Sequence, residues 1–515
     1  MACKPLKTFC IFFLALIYCA HPAYAQEKDN RWLDLLFGIG DAINDQIFKN
    51  DSSGKAEGKR LTTPEFLPKG WHSTFLLEPV FNSKILVVEA GDANRETVLM
   101  VHGLGQDGFQ SWLKTAAALQ KRYHVVMLDL PGFGYSALPA GRYSPANYAK
   151  VLKWLVKQKS AGKVHLVGHS MGAAVCLKFG AEYPQLVQTV VLADVAGILH
   201  RTAFIKHITE PFFPDQFIPF SVTGKTIESV LLNDTLTKYI TRAPDPSKVL
   251  EKSDLLWNLA TMNRPNVNAA FVLIETEFTK DIKKFDHPTT LIWGADDPVT
   301  PVRTARLLVH KLPNAQLKII ADAEHSPMIT HPVEFNQLLT DALKSGNDID
   351  KPKKPWNWPA WKSIDCENQN GETYTGNYRK IVLRNCEQVT LRDVQAHELI
   401  IENSLVYIEN TDVSGSSTAC TTKDSIVVAT NLSCGGETGL IADNSRLDFA
   451  GAVITGSKSA GSIGSESYLV LSVSEIKSPA YTGTAHGAYR LSDTQLESSF
   501  VKQPAATKKD YKSSI

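Results

Sequence analysis

A serine flanked by glycines is the first group in this sequence that could act as a nucleophile. Gly168-His169-Ser170-Met171-Gly172 directly follows an apolar run, Val164–Val167, and opens a helical stretch. A serine at a sharp strand-to-helix turn needs glycine on both sides, because the two elements approach closely there. The helix beginning at Met171 directs its first amide groups towards the exposed Ser170 hydroxyl. We therefore predict Ser170 as the nucleophile and the Met171 backbone N–H as an oxyanion donor.

A base and a carboxylate that could activate this serine follow downstream. A neutral serine is a weak nucleophile, so a hydrolase needs both groups. Asp297 comes shortly after an apolar run, Thr290–Trp293, and His325 follows another, Gln316–Ile320. In the predicted mechanism His325 takes the Ser170 proton, Asp297 orients the imidazole, and water hydrolyses the resulting acyl-enzyme.

These residues lie in a region, from about residue 75 to 343, where short β-branched runs alternate with longer helical stretches. The alternation predicts an α/β fold, a parallel sheet with helices on its faces. The interval 196–285 is too long for a connection between strands and is predicted to be an inserted helical lid, whose aromatic residues line a substrate pocket or form the lid's own core. The predicted strands are Ile85–Glu89, Thr97–Val101, His124–Leu128, Val164–Val167, Thr189–Leu192, Thr290–Trp293 and Gln316–Ile320, and the predicted helices include Ala146–Lys157 and Met171–Tyr183.

On these motifs, residues 75–343 resemble an α/β-hydrolase-fold serine hydrolase of the lid-bearing, esterase- or lipase-like kind, and we predict a hydrolase domain over residues 71–350. The chain order serine, aspartate, histidine agrees with that fold. The resemblance implies that His102-Gly103-Leu104-Gly105 is the oxyanion loop, with the Leu104 backbone N–H as the second donor. It also favours Asp297 over its neighbour Asp296 as the acid, because a glycine lies three residues before Asp297.

Other groups near the predicted site are given structural roles. The segment Asp129–Ser136 resembles the family's Asp-x-Pro-Gly-x-Gly loop and is predicted to shape the pocket floor. His102 is expected to brace its own loop, and His169 occupies the variable position of the serine motif. The sequence contains no metal-ligand cluster, dinucleotide fingerprint or flavin motif, so it predicts no metal and no cofactor.

The favoured activity is hydrolysis of a carboxylic ester, thioester or amide, with a small-molecule or lipid ester as the substrate. The same three residues would equally suit a carbon–carbon bond hydrolase, a metal-free peroxidase or a peptidase of the same fold. A different class also stays open, a non-catalytic envelope- or glycan-binding protein with a vestigial hydrolase fold. A dehalogenase or epoxide hydrolase is disfavoured, because those family members carry aspartate where this chain has Ser170.

Composition and the first residues bear on where the protein acts. Its 515 residues are 43% apolar and 21% charged, which is typical of a folded protein with two or three domains. Lys and Arg total 54 against 53 Asp and Glu, so no net charge favours nucleic acid as a partner. Lys4 and Lys7, an apolar run and Ala23-Tyr24-Ala25 predict a signal peptide over 1–25 and a periplasmic or secreted protein. No apolar run reaches the length of about 18 residues that a transmembrane helix needs.

A repeat of about twenty residues occupies the last third of the chain. Its steps are 17, 21, 20 and 22 residues, and each repeat has apolar residues at the second and fourth positions after its start. Such a period predicts stacked coils of short strands. The stretch from about residue 370 to 480 resembles a right-handed parallel β-helix, and we predict a β-solenoid domain over residues 366–500. The resemblance implies no catalytic residues but suits contact with a glycan or envelope partner. An antiparallel β-sandwich is the alternative. The repeats start at Glu387, Ser404, Ser425, Ser445 and Ser467.

Cysteine usage and the remaining segments complete the predicted organisation. An even, clustered set of cysteines in an exported chain predicts two disulfides, and we favour pairing between sequence neighbours, Cys366 with Cys386 and Cys420 with Cys434. Residues 26–70 are expected to form an N-terminal extension with an amphipathic helix, residues 351–365 a linker rich in proline and tryptophan, and residues 501–515 a disordered tail.

Overall fold

The computed structural model describes residues 60–105, 107–203, 257–258, 261, 264–344, 362–464, 467–491 and 494–501. The chain divides into two units, Met1–Lys351 and Pro352–Ile515. The predicted signal peptide, the amphipathic helix, most of the lid and of the linker, and the tail after residue 501 lie outside the described residues. Within the described ranges, no helix is both long enough and apolar enough to span a membrane.

The first unit is built on an eight-stranded sheet with the order β1-β2-β4-β3-β5-β6-β7-β8. The pairs β1–β2 and β2–β4 are antiparallel, and the others are parallel. The strands are β1 (His72–Glu78), β2 (Ser83–Ala90), β3 (Thr97–Val101), β4 (His124–Leu128), β5 (Val164–His169), β6 (Val187–Ala193), β7 (Thr289–Gly294) and β8 (Ala315–Ile320). All of the predicted strands are present, with ends that differ by at most two residues.

Strand β1 is not among the predicted strands. It forms one edge of the sheet and pairs only with β2, so several of its side chains are exposed, including Leu77. Because an edge strand need not bury both faces, it lacks the apolar run that marks the central strands. By contrast, every residue of β3, β4 and β5 is buried.

Helices pack against this sheet, and the two predicted helices occur as α2 and α3. Helix α2 begins where the Ser144 hydroxyl accepts a hydrogen bond from the Asn147 N–H (3.1 Å) and has Pro145 at its first turn. Nine residues of helix α3 are buried, including Cys176 with its free thiol. The helices are α1 (Leu113–Leu119), α2 (Pro145–Lys159), α3 (Met171–Glu182), α4 (Pro265–Glu275), α5 (Thr279–Lys284), α6 (Val302–Lys311), α7 (Pro327–Thr330) and α8 (Pro332–Lys344).

In its described residues, the second unit consists of strands and one short helix that follows them. Its ladders are parallel except for the pairs β19–β20 and β18–β21, so the antiparallel sandwich alternative is wrong. The first strand begins at Ser363, inside the segment predicted as linker, because residues 363–367 pair with β11. The elements are β9 (Ser363–Glu367), β10 (Thr373–Tyr378), β11 (Lys380–Arg384), β12 (Val389–Ala396), β13 (Leu399–Glu402), β14 (Leu405–Ser414), β15 (Thr418–Lys423), β16 (Ile426–Asp443), β17 (Arg446–Ala450), β18 (Val453–Ile463), β19 (Ser467–Lys477), β20 (Thr482–Leu491), β21 (Thr494–Gln495) and α9 (Leu496–Val501).

The register of these ladders follows the repeat seen in the sequence. The apolar residue two positions after each repeat start pairs with the equivalent residue of the next repeat. These side chains are buried, so the repeat period corresponds to stacking of equivalent strands over a common apolar interior. The row is Val389, Val406, Val427, Leu447 and Leu469.

The serines that start four of the repeats form a buried hydrogen-bonded row. The Ser404 N–H donates to Ser425 Oγ (3.1 Å), and the Ser425 N–H donates to Ser445 Oγ (3.3 Å). The hydroxyls of Ser404, Ser425 and Ser445 each donate in turn to a backbone carbonyl two residues earlier, as Ser425 Oγ does to Lys423 O at 2.6 Å. The row therefore satisfies backbone groups at the point where the chain turns between strands.

We expect Ser425→Ala to lower the free energy of unfolding of this unit by about 1–3 kcal/mol, because it leaves the buried Ser404 N–H without its acceptor. Chemical denaturation of the full-length protein measures the loss. Ser416→Ala is the matched control, since Ser416 is exposed in the same unit. Equal stability of the two variants would contradict a stabilising role for the row.

Both predicted disulfides are present. Cys366 is bonded to Cys386 and Cys420 to Cys434, with Cα–Cα distances of 6.8 and 5.9 Å. The prediction of pairing between sequence neighbours is therefore confirmed.

Candidate active site

Ser170 lies at the turn between β5 and α3, the segment Gly168–Gly172 that we call the nucleophile elbow. Its backbone has φ 53° and ψ −118°, a conformation that costs energy for a residue with a side chain. The surroundings hold it in place, because the Ser170 N–H donates to Ala193 O (2.9 Å) and its carbonyl accepts from the Ala173 N–H (3.1 Å). The strain places the hydroxyl at the carboxyl end of β5.

The two glycines of the elbow have the steric role that the sequence predicts. A Cβ at Gly172 would collide with the backbone carbonyls of Val101 and His102. A Cβ at Gly168 would lie 2.6 Å from Ala173 Cα, closer than real side chains approach. Both positions therefore require glycine if the helix is to start so close to the strand.

The structure brings Ser170, His325 and Asp297 together at the carboxyl edge of the sheet. His325 Nε2 lies 3.0 Å from Ser170 Oγ, and His325 Nδ1 lies 2.9 Å from Asp297 Oδ2. The carboxylate selects the tautomer with hydrogen on Nδ1, which leaves Nε2 as the acceptor for the serine proton. This is the geometry that a serine nucleophile and its general base require.

Asp297 is buried and held by several donors. Its Oδ1 accepts from the Val299 and Thr300 N–H groups at 2.7 and 2.9 Å, and Oδ2 accepts from the Thr300 hydroxyl in addition to His325. Burial acts to raise the pKa of Asp297, but the neighbouring imidazole and these hydrogen bonds outweigh it and lower the pKa to about 2. Asp297 is therefore ionised, whereas Asp296 is exposed.

The two predicted oxyanion donors lie on segments that meet at the elbow. Met171 is the first residue of α3, so its N–H has no partner within the helix. Leu104 follows β3 in the loop 102–105, and a Cβ at the adjacent Gly103 would lie 2.9 Å from Ser170 Cβ. The loop and the helix start thus face the same serine, and the donor roles of Leu104 and Met171 stay predictions.

This loop, predicted as the oxyanion loop, is fixed from two sides. His102 lies with Nδ1 2.7 Å from Gly103 O, and its Nε2 accepts from the Leu130 N–H at 3.0 Å. Burial lowers the pKa of His102 to about 4, so the ring is neutral and braces the loop. On the other side, the Gly105 N–H donates to Oδ1 of Asn266, a buried residue of α4, at 2.9 Å. The contact with Asn266 crosses 161 residues of sequence and has no local signal.

The loop Asp129–Ser136 is held together by one buried carboxyl group. Asp129 accepts from the N–H groups of Phe109 and Tyr135, both at 2.7 Å. Burial raises its pKa to about 7, against the effect of these hydrogen bonds. These contacts are structural, and the role of the loop as a pocket floor stays a prediction.

His169, treated as a variable position in the sequence, contacts the base directly. Its Nε2 lies 2.6 Å from the carbonyl oxygen of His325, and the two ring centroids are 5.0 Å apart. Burial and the neighbouring His325 lower the pKa of His169 to about 3, so the ring is neutral and donates this hydrogen bond. The sequence shows only that His169 precedes the serine.

Asp194 is a second residue that sequence reasoning missed. It follows β6, is fully buried, and its Oδ1 accepts from the Gly294 N–H at 2.9 Å. Single side-chain atoms of Asp194, Asp297 and His325 all lie within 4.8 Å of one another. The sequence signal that could have identified Asp194 is its position directly after a strand, because Ser170, Asp297 and His325 also follow strands that end at this edge of the sheet.

Comparison with known proteins agrees with this architecture. Residues 96–332 match the sequence model of the alpha/beta hydrolase fold family. An uncharacterized protein of Mycobacterium tuberculosis is 28% identical over 256 residues, which cover 47% of this chain and 73% of that protein. A monoacylglycerol lipase of Xenopus laevis is 27% identical over 274 residues, covering 51% and 79%. Lipase 3 of a Moraxella species is 27% identical over 258 residues, covering 48% and 76%.

The matched residues include the strands β3 to β8 and the segments that carry Ser170, Asp297 and His325. Sheet order, elbow conformation and sequence similarity thus agree, and residues 96–332 of this chain have the alpha/beta hydrolase fold.

Proposed function

We propose that this protein is a serine hydrolase that cleaves carboxylic esters through an acyl-enzyme. The observation that carries the proposal is the chain of hydrogen bonds from Ser170 Oγ to His325 Nε2 at 3.0 Å and from His325 Nδ1 to Asp297 Oδ2 at 2.9 Å. Two of the relatives are lipases, which supports an ester as the substrate.

The proposed reaction starts with the Ser170 hydroxyl. As Ser170 Oγ attacks the ester carbonyl, its proton passes to His325 Nε2, and the ionised Asp297 stabilises the imidazolium through Nδ1. The N–H groups of Met171 and Leu104 stabilise the oxyanion. His325 then gives the proton to the leaving alcohol and later removes a proton from the water that releases the acid.

We propose a small-molecule or lipid ester as the substrate class. The test is a panel of p-nitrophenyl esters with acyl chains of increasing length, assayed on the full-length mature protein. We expect turnover with an optimum in chain length, because a pocket of fixed size binds a limited length of acyl chain.

Active-site labelling separates this proposal from the non-catalytic alternative. A fluorophosphonate probe should modify the protein once, and mass spectrometry should place the adduct on the peptide that contains Ser170. A folded protein that neither hydrolyses any ester of the panel nor reacts with the probe would favour a vestigial hydrolase fold.

We further propose that the protein is exported and acts in the periplasm or outside the cell. The features of residues 1–25 support this, and so do the disulfides Cys366–Cys386 and Cys420–Cys434, since disulfides persist in oxidising compartments. Amino-terminal sequencing of the protein from a producing culture should find a mature chain that begins at Gln26.

We propose a right-handed parallel β-solenoid for the strands of the second unit. The parallel ladders with steps near twenty residues and the buried row from Val389 to Leu469 support a solenoid. Contact of this unit with a glycan or an envelope component is part of the proposal. Co-sedimentation of the full-length protein with envelope fractions of the producing cell tests it.

A further inference from the structure

Asp194 lies beside the proposed triad with its backbone and one side-chain oxygen fixed. Its N–H donates to Ile292 O of β7 (3.2 Å), and its Oδ1 accepts from the Gly294 N–H (2.9 Å). Its φ of 47° is unusual for a residue with a side chain. The residue is fully buried, so the strained backbone holds a carboxyl group out of solvent at the active edge of the sheet.

The second oxygen of Asp194 has no donor. Among the described residues no group donates a hydrogen bond to Oδ2, although this atom is buried. A buried carboxylate oxygen without a donor is strongly disfavoured. Oδ2 can make a hydrogen bond only by carrying a proton itself, and the nearby acceptor is Asp297, since one carboxyl oxygen of Asp194 lies within 4.8 Å of one carboxyl oxygen of Asp297.

Asp297 is the member of this pair that carries the negative charge. Four donors point at its two oxygens, from Val299, from the amide and hydroxyl of Thr300, and from His325. Asp194 receives one, from Gly294. Two carboxyl groups this close in a dry site cannot both ionise, and the proton stays on the group with fewer donors.

We propose that Asp194 is a neutral carboxylic acid that donates a hydrogen bond from Oδ2 to the Asp297 carboxylate and so positions it against His325. Asp194 is a positioning residue, since it acts through Asp297. The expected effect of Asp194 on kcat rests on the proposed function, whereas the proton on Asp194 and its hydrogen bond to Asp297 do not. Burial and then the charge of Asp297 raise the pKa of Asp194 well above its usual range, in agreement with a neutral group.

The titratable side chains that face Asp194 from the neighbouring elements define the charge of the site. They are Asp297 after β7 and His325 after β8, and His325 in turn contacts the neutral His169 of the elbow. With Asp194 neutral, the imidazolium that forms during the reaction meets one negative charge. With Asp194 ionised it would meet two.

The kinetic test compares Asp194→Asn with Asp194→Ala. Asparagine keeps a donor at this position and cannot ionise, whereas alanine removes the donor. We expect D194A to lower kcat roughly tenfold with little change in KM, and D194N to recover most of that loss. The acid limb of the kcat/KM profile should stay at its wild-type pH in D194N. A shift of this limb to lower pH by about one unit, or a D194N variant as impaired as D194A, would overturn the proposal.

A second test needs no activity. A carboxyl group that is protonated in the folded state and ionised in the unfolded state makes the protein less stable as pH rises. Above the ordinary carboxyl pKa of about 4, the equilibrium constant for unfolding rises roughly tenfold for each pH unit. D194N lacks this dependence, so the melting temperature of D194N minus that of the wild type should increase between about pH 4 and 8. Other titratable groups, including Asp129, are present in both proteins, so their effects cancel in the difference between the two melting temperatures.

A melting-temperature difference that is independent of pH would show that Asp194 is not a protonated acid. If the difference grows with pH but no ester is hydrolysed, the proposed function fails while the assignment of the proton stands. If esters are hydrolysed and the difference is constant, this inference alone fails. An infrared carboxylic-acid band at neutral pH that is weaker in D194N than in the wild type would support the same assignment, and equal intensity in the two proteins would contradict it.

Discussion

Ser170→Ala is expected to lower kcat for aryl esters by roughly 10⁴-fold or more and to prevent labelling by a fluorophosphonate. The reason is that Ser170 Oγ is the hydroxyl within reach of His325 Nε2, at 3.0 Å. Alanine removes the nucleophile and leaves the base and the carboxylate in place. Steady-state rates and probe incorporation, measured on the same preparations, give the result.

A second serine serves as the control for this experiment. Ser160 lies at the end of α2, where its hydroxyl forms hydrogen bonds with the backbone of Gly162 in the same turn. Ser160→Ala should hydrolyse esters and react with the probe as the wild type does. Persistent labelling of the Ser170→Ala protein, or a loss of activity shared by both variants, would contradict the assignment of the nucleophile.

Asp297→Asn is expected to lower kcat by roughly 10⁴-fold, because an amide neither selects the Nδ1–H tautomer of His325 nor stabilises its positive charge. The matched control is Asp296→Asn. Asp296 is the adjacent residue with the same side chain, but it is exposed, and the carboxylate that accepts the hydrogen bond from His325 Nδ1 is Asp297. Rates of ester hydrolysis together with circular dichroism separate a catalytic loss from misfolding.

The comparison of these two variants identifies the acid. If Asp296→Asn costs as much activity as Asp297→Asn, the carboxylate has been assigned to the wrong residue. Any activity left in Asp297→Asn that disappears in the D194N/D297N double variant would be a contribution of Asp194, which lies within the same cluster.

The local features of the site could be predicted because they depend on neighbouring residues. The need for glycine at 168 and 172 follows from the sharp turn after β5, and the central strands are apolar because both of their faces are buried. The stacking of Val389 to Leu469 follows from a repeat period that equals one coil. The edge strand β1 escaped prediction because a strand with one exposed face carries no such run.

The contacts that complete the site depend on segments far apart in the chain. His169 bonds to the backbone of His325 across 156 residues, and Asn266 reaches Gly105 across 161. Asp194 is an ordinary aspartate in the sequence and becomes unusual only when β7 and β8 place Asp297 and His325 beside it. Spacing and residue type specify turns, strands and repeat register because those interactions are local. The charge of a buried carboxyl group depends on solvent exclusion and on neighbours from other strands, which exist only after the sheet has formed.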